Sequence, residues 1–294
     1  MSAAWPNLSE LLVEGDAAVP IGLVGAPLAV GSVTPGACDK APALLRQTLK
    51  RIGRYDIGIG RSLFTPIRDR GDVELAGLTI EQATAPIRDA VSASLNDHLL
   101  TLLAGGNNAI TRPAALALGM PLERVGLITL DAHFDMRELD AGLSNGNPVR
   151  ALMEDGLPGR NIAQIGLASF ANTAKMHRDA LDAGNLVVSI EEVRGDGIER
   201  ALERALEHMA SADAIVVDCD IDVIDRAQMP GAPGARPGGM DVRDFFLAVR
   251  RLAGDHRVRI IDLTEWDPSL DPTDLSALTA ARWVAECVAG FESR

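Results

Sequence analysis

The sequence has 294 residues, of which 47% are hydrophobic and 23% are charged, as in an ordinary globular protein. Its formal net charge of −13 argues against a nucleic-acid surface, because phosphate binding needs clustered lysine and arginine. The length allows two small domains or one large α/β domain.

The amino-terminal stretch is acidic, with Glu10, Glu14 and Asp16 and no basic run, so we expect no secretory signal. No apolar run approaches the roughly 20 residues that a membrane-spanning helix needs. The three cysteines are odd in number and widely spaced, which does not suit a disulfide framework: Cys38, Cys219 and Cys287. We therefore expect a cytoplasmic protein that binds neither membranes nor nucleic acids.

Short apolar runs alternate with helical patterns along the chain. The predicted strands span 21–27, 70–73, 99–104, 125–130, 162–167, 186–190, 214–217 and 258–263. The predicted helices span 41–52, 80 up to the strand at 99, 109–118, 149–155, 198–209, 242–252 and 273–288. This alternation predicts a mostly parallel sheet covered by helices on both faces. Without a linker or an internal repeat, we expect one domain over 1–294, and no Gly-x-Gly-x-x-Gly follows a strand to suggest a dinucleotide site.

The predicted strand 125–130 runs directly into Asp131, His133 and Asp135. Ligands for a cation commonly project from the carboxyl end of a buried strand. The alternative interpretation is an ordinary acidic turn after a strand.

A second acidic run, Asp218 to Asp225, follows the predicted strand 214–217. Its four aspartates repel one another unless a cation neutralises them. In an extended segment Asp218, Asp220 and Asp222 would share one face, and Cys219 would face the core. Carboxylates with a single imidazole suit Mn²⁺ or Mg²⁺ better than zinc bound by thiolates, although a solvated acidic loop is the alternative.

Motifs that span almost the whole chain resemble those of the ureohydrolases, the family of arginase, agmatinase and formimidoylglutamase. They include Asp-Ala-His-x-Asp at 131–135, Asp-x-Asp-x-x-Asp at 220–225, the later Pro-Gly pairs at 230 and 237, and Glu265 to Asp271. An early Gly-x-Pro at 25–27 and Pro-Gly at 35–36 also match.

The resemblance implies an arginase-like three-layer α/β/α fold with a mostly parallel sheet of about eight strands. It also implies a binuclear Mn²⁺ centre that activates water to attack a guanidinium or formimino carbon. By position, Asp131 and Asp220 would bridge the metals, His133 and Asp222 would complete one shell, and Asp135 would bind the other metal. Asp135 and Glu265 are the catalytic candidates, with Glu265 holding the cationic carbon.

One position departs from the family pattern. The family's Gly-Gly-Asp-His reads Gly-Gly-Asn-Asn at 105–108, so Asn108 replaces a metal-binding histidine. An amide oxygen is a weaker ligand than imidazole for most transition metals. We therefore expect one firm site (Asp131, His133, Asp220, Asp222) and one weak or substrate-dependent site (Asn108, Asp131, Asp135, Asp220).

The segments 131–137 and 144–150 resemble formimidoylglutamases more than agmatinases. Arg137 and Arg150 are suited to grip a substrate carboxylate, and Asn145 and Asn147 complete the substrate-binding candidates. The alternative is that both arginines form surface or subunit salt bridges.

The expected reaction is hydrolysis of N-formimidoyl-L-glutamate to glutamate and formamide, a step of histidine breakdown. One alternative is an agmatinase or guanidinobutyrase that releases urea. Another is a member of the fold that binds a small molecule without catalysis. By resemblance, we expect a homo-oligomer, either a trimer or a hexamer.

Overall fold

The fold is that of a computed structural model, which describes residues 5–14 and 18–294. Asp16, counted among the acidic residues of the amino-terminal stretch, lies outside these ranges. None of the helices within them is both long and apolar enough to cross a membrane.

Among the described residues, nine strands form one sheet in which every neighbouring pair is parallel. The strands of this sheet are β1 (Leu12–Val13), β2 (Ile21–Ala26), β5 (Ile67–Asp72), β6 (Leu100–Gly105), β7 (Val125–Leu130), β8 (Ile162–Leu167), β9 (Leu186–Ser189), β10 (Ala214–Asp220) and β11 (Val258–Thr264). A separate antiparallel pair is formed by β3 (Tyr55–Asp56) and β4 (Arg61–Ser62). The prediction of a mostly parallel sheet is confirmed, and the strand beyond the expected eight is the two-residue β1.

Helices cover both faces of the sheet and give two separate apolar cores. On one face lie α1 (Ala41–Thr48), α6 (Ile190–Asp196), α7 (Ile198–His208), α8 (Val242–Ala253) and α9 (Leu275–Phe291). On the other lie α2 (Ile80–Asp97), α3 (Thr111–Leu116), α4 (Pro148–Asp155) and α5 (Ala174–Ala183). Residues of β7 alternate between the two cores, with Leu127 in one and Ile128 in the other, as expected for a sheet buried on both faces. This is the expected three-layer α/β/α arrangement.

Two helices were not predicted from the sequence. The one buried residue of α5 is Ala180, and half of its 10 residues are charged or histidine, so the helix offers few apolar residues by which a sequence could reveal it. Helix α6 has only 7 residues, and its start is set by a capping box between Ser189 and Glu192 rather than by a hydrophobic pattern.

Strand β10 extends beyond its predicted end at Val217 to Asp220. It pairs with β7 on one side and β11 on the other. These pairings continue as far as Asp218 and Asp220, so the backbone N–H and C=O groups of the acidic residues are also hydrogen-bonded. Its aspartates are therefore held on a rigid strand rather than in a solvated loop.

The strand order places four carboxyl ends side by side. The sheet runs β1-β5-β2-β6-β11-β10-β7-β8-β9, so the chain leaves β6 and re-enters at β7 with two later strands lying between them. Such a reversal of strand order is where open α/β sheets form binding clefts. Gly106, directly after β6, lies against the loop that follows β2. A Cβ at Gly106 would be 1.9 Å from the carbonyl oxygen of Leu28 in that loop. Any side chain at that position would push the loop away from the cleft.

Candidate active site

Two overlapping groups of acidic and imidazole side chains lie at the carboxyl ends of β7 and β10. Asp131, His133 and Asp222 form one group, and Asp131, Asp135 and Asp220 form the other, with the ligand atoms of each group within 4.8 Å of one another. Asp131 is common to both groups. Its Oδ2 atom is buried and accepts no hydrogen bond from the described residues. A buried carboxylate oxygen without a donor fits a cation, because burial without a partner is otherwise costly.

The imidazole of His133 is held by two aspartates. Its Nδ1 lies 3.0 Å from Asp222 Oδ2 and 3.5 Å from Asp131 Oδ1, and the backbone N–H of His133 also donates to Asp131 Oδ1 over 2.6 Å. The backbone N–H of Asp222 in turn donates to Asp220 Oδ1 over 3.0 Å. These local hydrogen bonds fix the directions of the carboxylate and imidazole groups that could hold a metal.

Backbone strain and a close approach also shape this site. Asp135 and Glu265 have positive φ angles of 51° and 60°, which are uncommon for residues with side chains and concentrate at functional sites. A Cβ at Gly234 would lie 1.9 Å from Asp222 Oδ2 and 3.1 Å from His133 Cε1. Only glycine allows the loop 226–239 to close over the two ligands.

Three carboxyls of the cluster have raised pKa values, whereas burial is outweighed at Asp222, whose pKa is lowered by the charge and hydrogen bond of His133. Burial raises the pKa of Asp131 to about 7, and the nearby charge of Asp222 adds to the shift. Burial, followed by the charge of neighbouring aspartates, also raises the pKa of Asp135 and of Asp220. The negative charge of Asp222 raises the pKa of His133 to about 12. A divalent cation at this point would neutralise the charge and allow the carboxylates to ionise together.

Asn108 lies at this site, but it turns its nitrogen toward the carboxylates. Its Nδ2 donates to Asp135 Oδ2 over 2.6 Å, and its Oδ1 accepts from Thr111 Oγ1 over 2.7 Å. The oxygen, which is the atom that could bind a metal, is therefore engaged elsewhere. Asn108 therefore lies beside the ligand groups, as expected from the sequence, and its role as a metal ligand stays a prediction.

Glu265 lies beside the ligand groups and is buried. Its Oε1 accepts from the backbone N–H of Asn108 over 2.7 Å and from Asn145 Nδ2 over 2.9 Å. Burial raises its pKa to about 7. Asn145 therefore joins the 144–150 segment to the carboxylate at the end of β11.

A pocket opens above the cluster. Its floor is formed by acidic and imidazole side chains and its wall by basic and amide ones: His133, Asp135, Asp220, Asp222, Glu265, Arg137, Asn145 and Arg236. Arg137 and Arg236 are exposed, and among the described residues neither forms an ion pair with a carboxylate. Arg236 was not singled out from the sequence, although it stands between two Pro-Gly pairs of a loop that the resemblance did identify.

Two of the predicted substrate-binding residues lie outside this pocket. Asn147 is buried, where its Oδ1 accepts from the Ser144 backbone N–H over 2.8 Å and its Nδ2 donates to the Gly142 carbonyl over 3.0 Å. Arg150 forms an ion pair with Asp179 and reaches the Met136 carbonyl. Both hold the loop that carries Arg137, so their contacts support a structural role instead.

The other acidic and histidine candidates are also accounted for. Asp218 belongs to neither ligand group and lies under the site beside Asp262, where burial raises the pKa of both carboxyls. His98 bonds to the Val19 carbonyl and His177 stacks on Phe134, and neither histidine belongs to the ligand groups. Cys219 is a free thiol buried in the core, as predicted.

Comparison with known proteins agrees with this geometry. The model of the arginase family matches residues 19–290. Formimidoylglutamases of Halalkalibacterium halodurans and Halobacterium salinarum are 31% and 30% identical, covering 92% of this chain and 86% and 87% of theirs. The crystal structure of formimidoylglutamase from Bacillus subtilis superposes with a TM-score of 0.91 at 27% identity, over 97% of this chain and 91% of that one. The chain belongs to the arginase family.

Proposed function

We propose that this protein is a manganese-dependent hydrolase that converts N-formimidoyl-L-glutamate and water into L-glutamate and formamide. The observation that carries the proposal is a pocket whose floor is a cluster of carboxylates able to hold a cation and whose wall holds two arginines that form no ion pair among the described residues. The similar proteins from H. halodurans and H. salinarum, which bear the name formimidoylglutamase, support the choice of substrate.

The donor set favours Mn²⁺. Carboxylate oxygens with one imidazole suit this ion, and the buried thiols of the chain lie elsewhere. We place a firm ion with Asp131, His133, Asp220 and Asp222, and a weaker one with Asp131, Asp135 and Asp220. Bound there, the metal would lower the pKa of a water molecule and supply a nucleophile at neutral pH.

The side chains around the pocket would then bind and orient the substrate. Glu265 is placed to hold the cationic formimino group, because its carboxylate lines the pocket beside the ligand groups. Asp135 is placed to take the proton lost by the attacking water and to pass it to the departing amine. The water adds to the formimino carbon, the bond to the glutamate nitrogen breaks, and formamide leaves with the carbon.

The wall of the pocket would select an acidic substrate. Formimidoylglutamate carries two carboxylates, and Arg137 and Arg236 each offer a guanidinium without a carboxylate partner among the described residues. Agmatine ends in an amine that is positively charged at neutral pH, so an enzyme that binds it would be expected to carry an aspartate or glutamate where this pocket has arginines. The basic wall therefore argues against the urea-releasing alternative.

A substrate panel tests the proposal. Protein loaded with Mn²⁺ is incubated with formimidoylglutamate, agmatine, arginine and guanidinobutyrate, and glutamate, formamide and urea are measured. We expect glutamate and formamide from the first substrate and no urea from the others. Urea release without turnover of formimidoylglutamate would establish the agmatinase alternative, and no turnover at all would indicate a binding protein.

The cellular compartment and the oligomeric state are part of the same proposal. The free buried cysteines support a reducing compartment, and we place the protein in the cytoplasm as a trimer or hexamer. Exposed aromatic side chains such as Trp5, Phe64 and Phe170 are available for contacts between subunits. Light scattering of the purified protein measures the mass directly, and a monomeric mass would refute the oligomer.

A further inference from the structure

The backbone that follows β7 carries Asp131, His133 and Asp135, but it lies beyond the ladders of the sheet. The pairings of β7 with β8 and with β10 both end at Leu130. The Asp131 N–H still donates to the Ile165 carbonyl of β8 over 3.0 Å. From residue 132 onward, groups outside the ladders must hold the backbone, because an unpaired peptide group away from water is costly.

Asn172, in the loop between β8 and α5, supplies partners on both sides of His133. Its Nδ2 donates to the Ala132 carbonyl over 2.9 Å, and its Oδ1 accepts from the Phe134 backbone N–H, also over 2.9 Å. The Ala132 carbonyl accepts a second hydrogen bond from the Ala168 backbone N–H over 2.9 Å. A side-chain amide offers a donor and an acceptor as a peptide group does, so Asn172 takes the place of one more strand residue beside this segment.

The orientation of the Asn172 amide is fixed by its partners. A backbone carbonyl can only accept and a backbone N–H can only donate, so the nitrogen must face Ala132 and the oxygen must face Phe134. The second hydrogen of the NH₂ group is within reach of the Ala168 carbonyl, at a nitrogen-to-oxygen distance of 3.3 Å. Each end of the amide is therefore engaged with backbone groups.

The loop that presents Asn172 is held in a strained turn. Phe170 has a positive φ of 65°, which is uncommon for a bulky residue, and the Ala171 N–H donates to the Ala168 carbonyl over 3.4 Å. Just after Asn172, the Thr173 side chain caps the start of α5. Strain of this kind persists only where the surrounding contacts fix the backbone. The loop is therefore anchored both to the sheet and to α5.

The direction of the His133 imidazole depends on the backbone that Asn172 holds. The His133 side chain keeps 24% of its exposure, so packing alone does not immobilise the ring, which forms a ligand group with Asp131 and Asp222. Asp135, two residues later, has a φ of 51°, so the chain turns sharply just past His133. A shift of this segment would move the imidazole away from both aspartates.

We propose that Asn172 is a positioning residue, which grips the backbone on both sides of His133 and so sets the direction of the imidazole in the metal site. The inference rests on the proposed manganese-dependent function, to which it adds a residue that no sequence motif singled out. Without the amide, the Ala132 carbonyl keeps one donor, the Phe134 N–H loses its acceptor, and the imidazole is no longer aimed at the metal.

Asn172→Leu removes both hydrogen-bonding ends of the side chain and keeps nearly the same shape. We expect the Kd for Mn²⁺, measured by calorimetry on metal-free protein, to rise about 10- to 100-fold, as for other residues that orient metal ligands. Hydrogen exchange of the Phe134 N–H should also become faster relative to the β7 amides, because its acceptor is lost. An unchanged Kd for Mn²⁺ would refute the proposal.

Asn161→Leu is the matched control, because Asn161 makes similar contacts at the opposite end of β7. Its Nδ2 donates to the carbonyls of Glu123 and Val125, each over 2.9 Å, and its side chain is fully buried. Asn161→Leu should lower the melting temperature and leave the Kd for Mn²⁺ unchanged. If Asn172→Leu also lowers only the melting temperature, Asn172 is merely structural and the proposal is wrong.

A double-mutant cycle with His133→Ala decides whether Asn172 acts through the imidazole. In the His133→Ala background, we expect Asn172→Leu to change the Kd for Mn²⁺ by no more than about twofold, against the larger change in the parent protein. An equal change in both backgrounds would overturn the proposal. These measurements need no substrate, so they stand even if the substrate panel refutes the proposed reaction.

Discussion

The side-chain nitrogen of Asn108 donates a hydrogen bond to Asp135 Oδ2 over 2.6 Å, at the position where the family pattern has a metal-binding histidine. The chain thus carries an amide at a position where the family pattern has an imidazole. The consequence is asymmetry, because one ligand group keeps its imidazole and the other consists of carboxylates alone.

His133→Ala should remove the firmer of the two metal sites. His133 is the imidazole in the group with Asp131 and Asp222, and carboxylates alone bind Mn²⁺ less tightly there. We expect Mn²⁺ affinity, measured by calorimetry, to fall at least about 100-fold, and activity to fall with it. His177→Ala, which loses only the stacking on Phe134, should keep both. Unchanged Mn²⁺ affinity in His133→Ala would contradict the assignment of the ligand groups.

Arg137→Ala should damage substrate binding rather than the fold. Its guanidinium lines the pocket without a carboxylate partner among the described residues, and a lost charged hydrogen bond costs about 1.5–3 kcal/mol. We expect kcat/KM for formimidoylglutamate to fall about 10- to 100-fold, mainly through KM. Arg236→Ala should behave in the same way.

Arg150→Ala should instead lower stability, because it breaks the ion pair with Asp179 and leaves KM nearly unchanged. Steady-state kinetics and thermal unfolding of the arginine variants separate these effects. A higher KM in Arg150→Ala, with an unchanged KM in Arg137→Ala and Arg236→Ala, would show that Arg150 is the residue that contacts the substrate.

Gly234→Ala should disable the site by steric overlap. The added Cβ would stand 1.9 Å from Asp222 Oδ2, so the loop or the ligand must move. We expect at least about tenfold weaker Mn²⁺ binding. Gly195→Ala is the control, because no atom lies within 4 Å of a Cβ at that position in α6, and it should be neutral or stabilising by up to about 1 kcal/mol. Unchanged Mn²⁺ binding by Gly234→Ala would show that the close approach of loop 226–239 to Asp222 does not matter for metal binding.

Asp271→Asn should reveal a pH-dependent contribution to stability before α9. Burial acts to raise the pKa of Asp271, but hydrogen bonds from Thr273 and Ser276 lower it to about 2. Because the folded value lies below the ordinary 3.8, the carboxylate stabilises the fold above that pH, and the effect is lost as pH falls through 2. We expect a loss of about 1 kcal/mol at pH 7 that shrinks below about pH 4.

Urea unfolding of metal-free protein at pH 7 and at pH 2.5 measures the Asp271 contribution. Asp182→Asn, at an exposed aspartate of α5 without a hydrogen bond from the described residues, serves as the control and should show little change. A stability difference between Asp271→Asn and the parent protein that is the same at both pH values would refute the contribution of the charge.

The sheet and the ligand groups could be predicted because they depend on local patterns. Strand β7 is an apolar run that ends at Asp131, and a parallel strand delivers the residues after it to one edge of the sheet. The side chains that follow such strands converge whatever the details of packing.

The roles of residues around the ligand groups, such as Arg150, could not be predicted, because they depend on partners that are distant in the sequence. Arg150 is paired with Asp179 on α5, a mostly polar helix that buries only Ala180 and was itself not predicted. Likewise, a sequence shows that Asn108 is present but not that its side chain contacts Asp135 and Thr111.

The most direct test of the account is formamide release from N-formimidoyl-L-glutamate by chelator-treated protein, before and after Mn²⁺ is restored. We predict no release before, and release of formamide and glutamate in equal amounts after. The same low formamide signal in both samples, from protein that binds Mn²⁺, would contradict the proposed function.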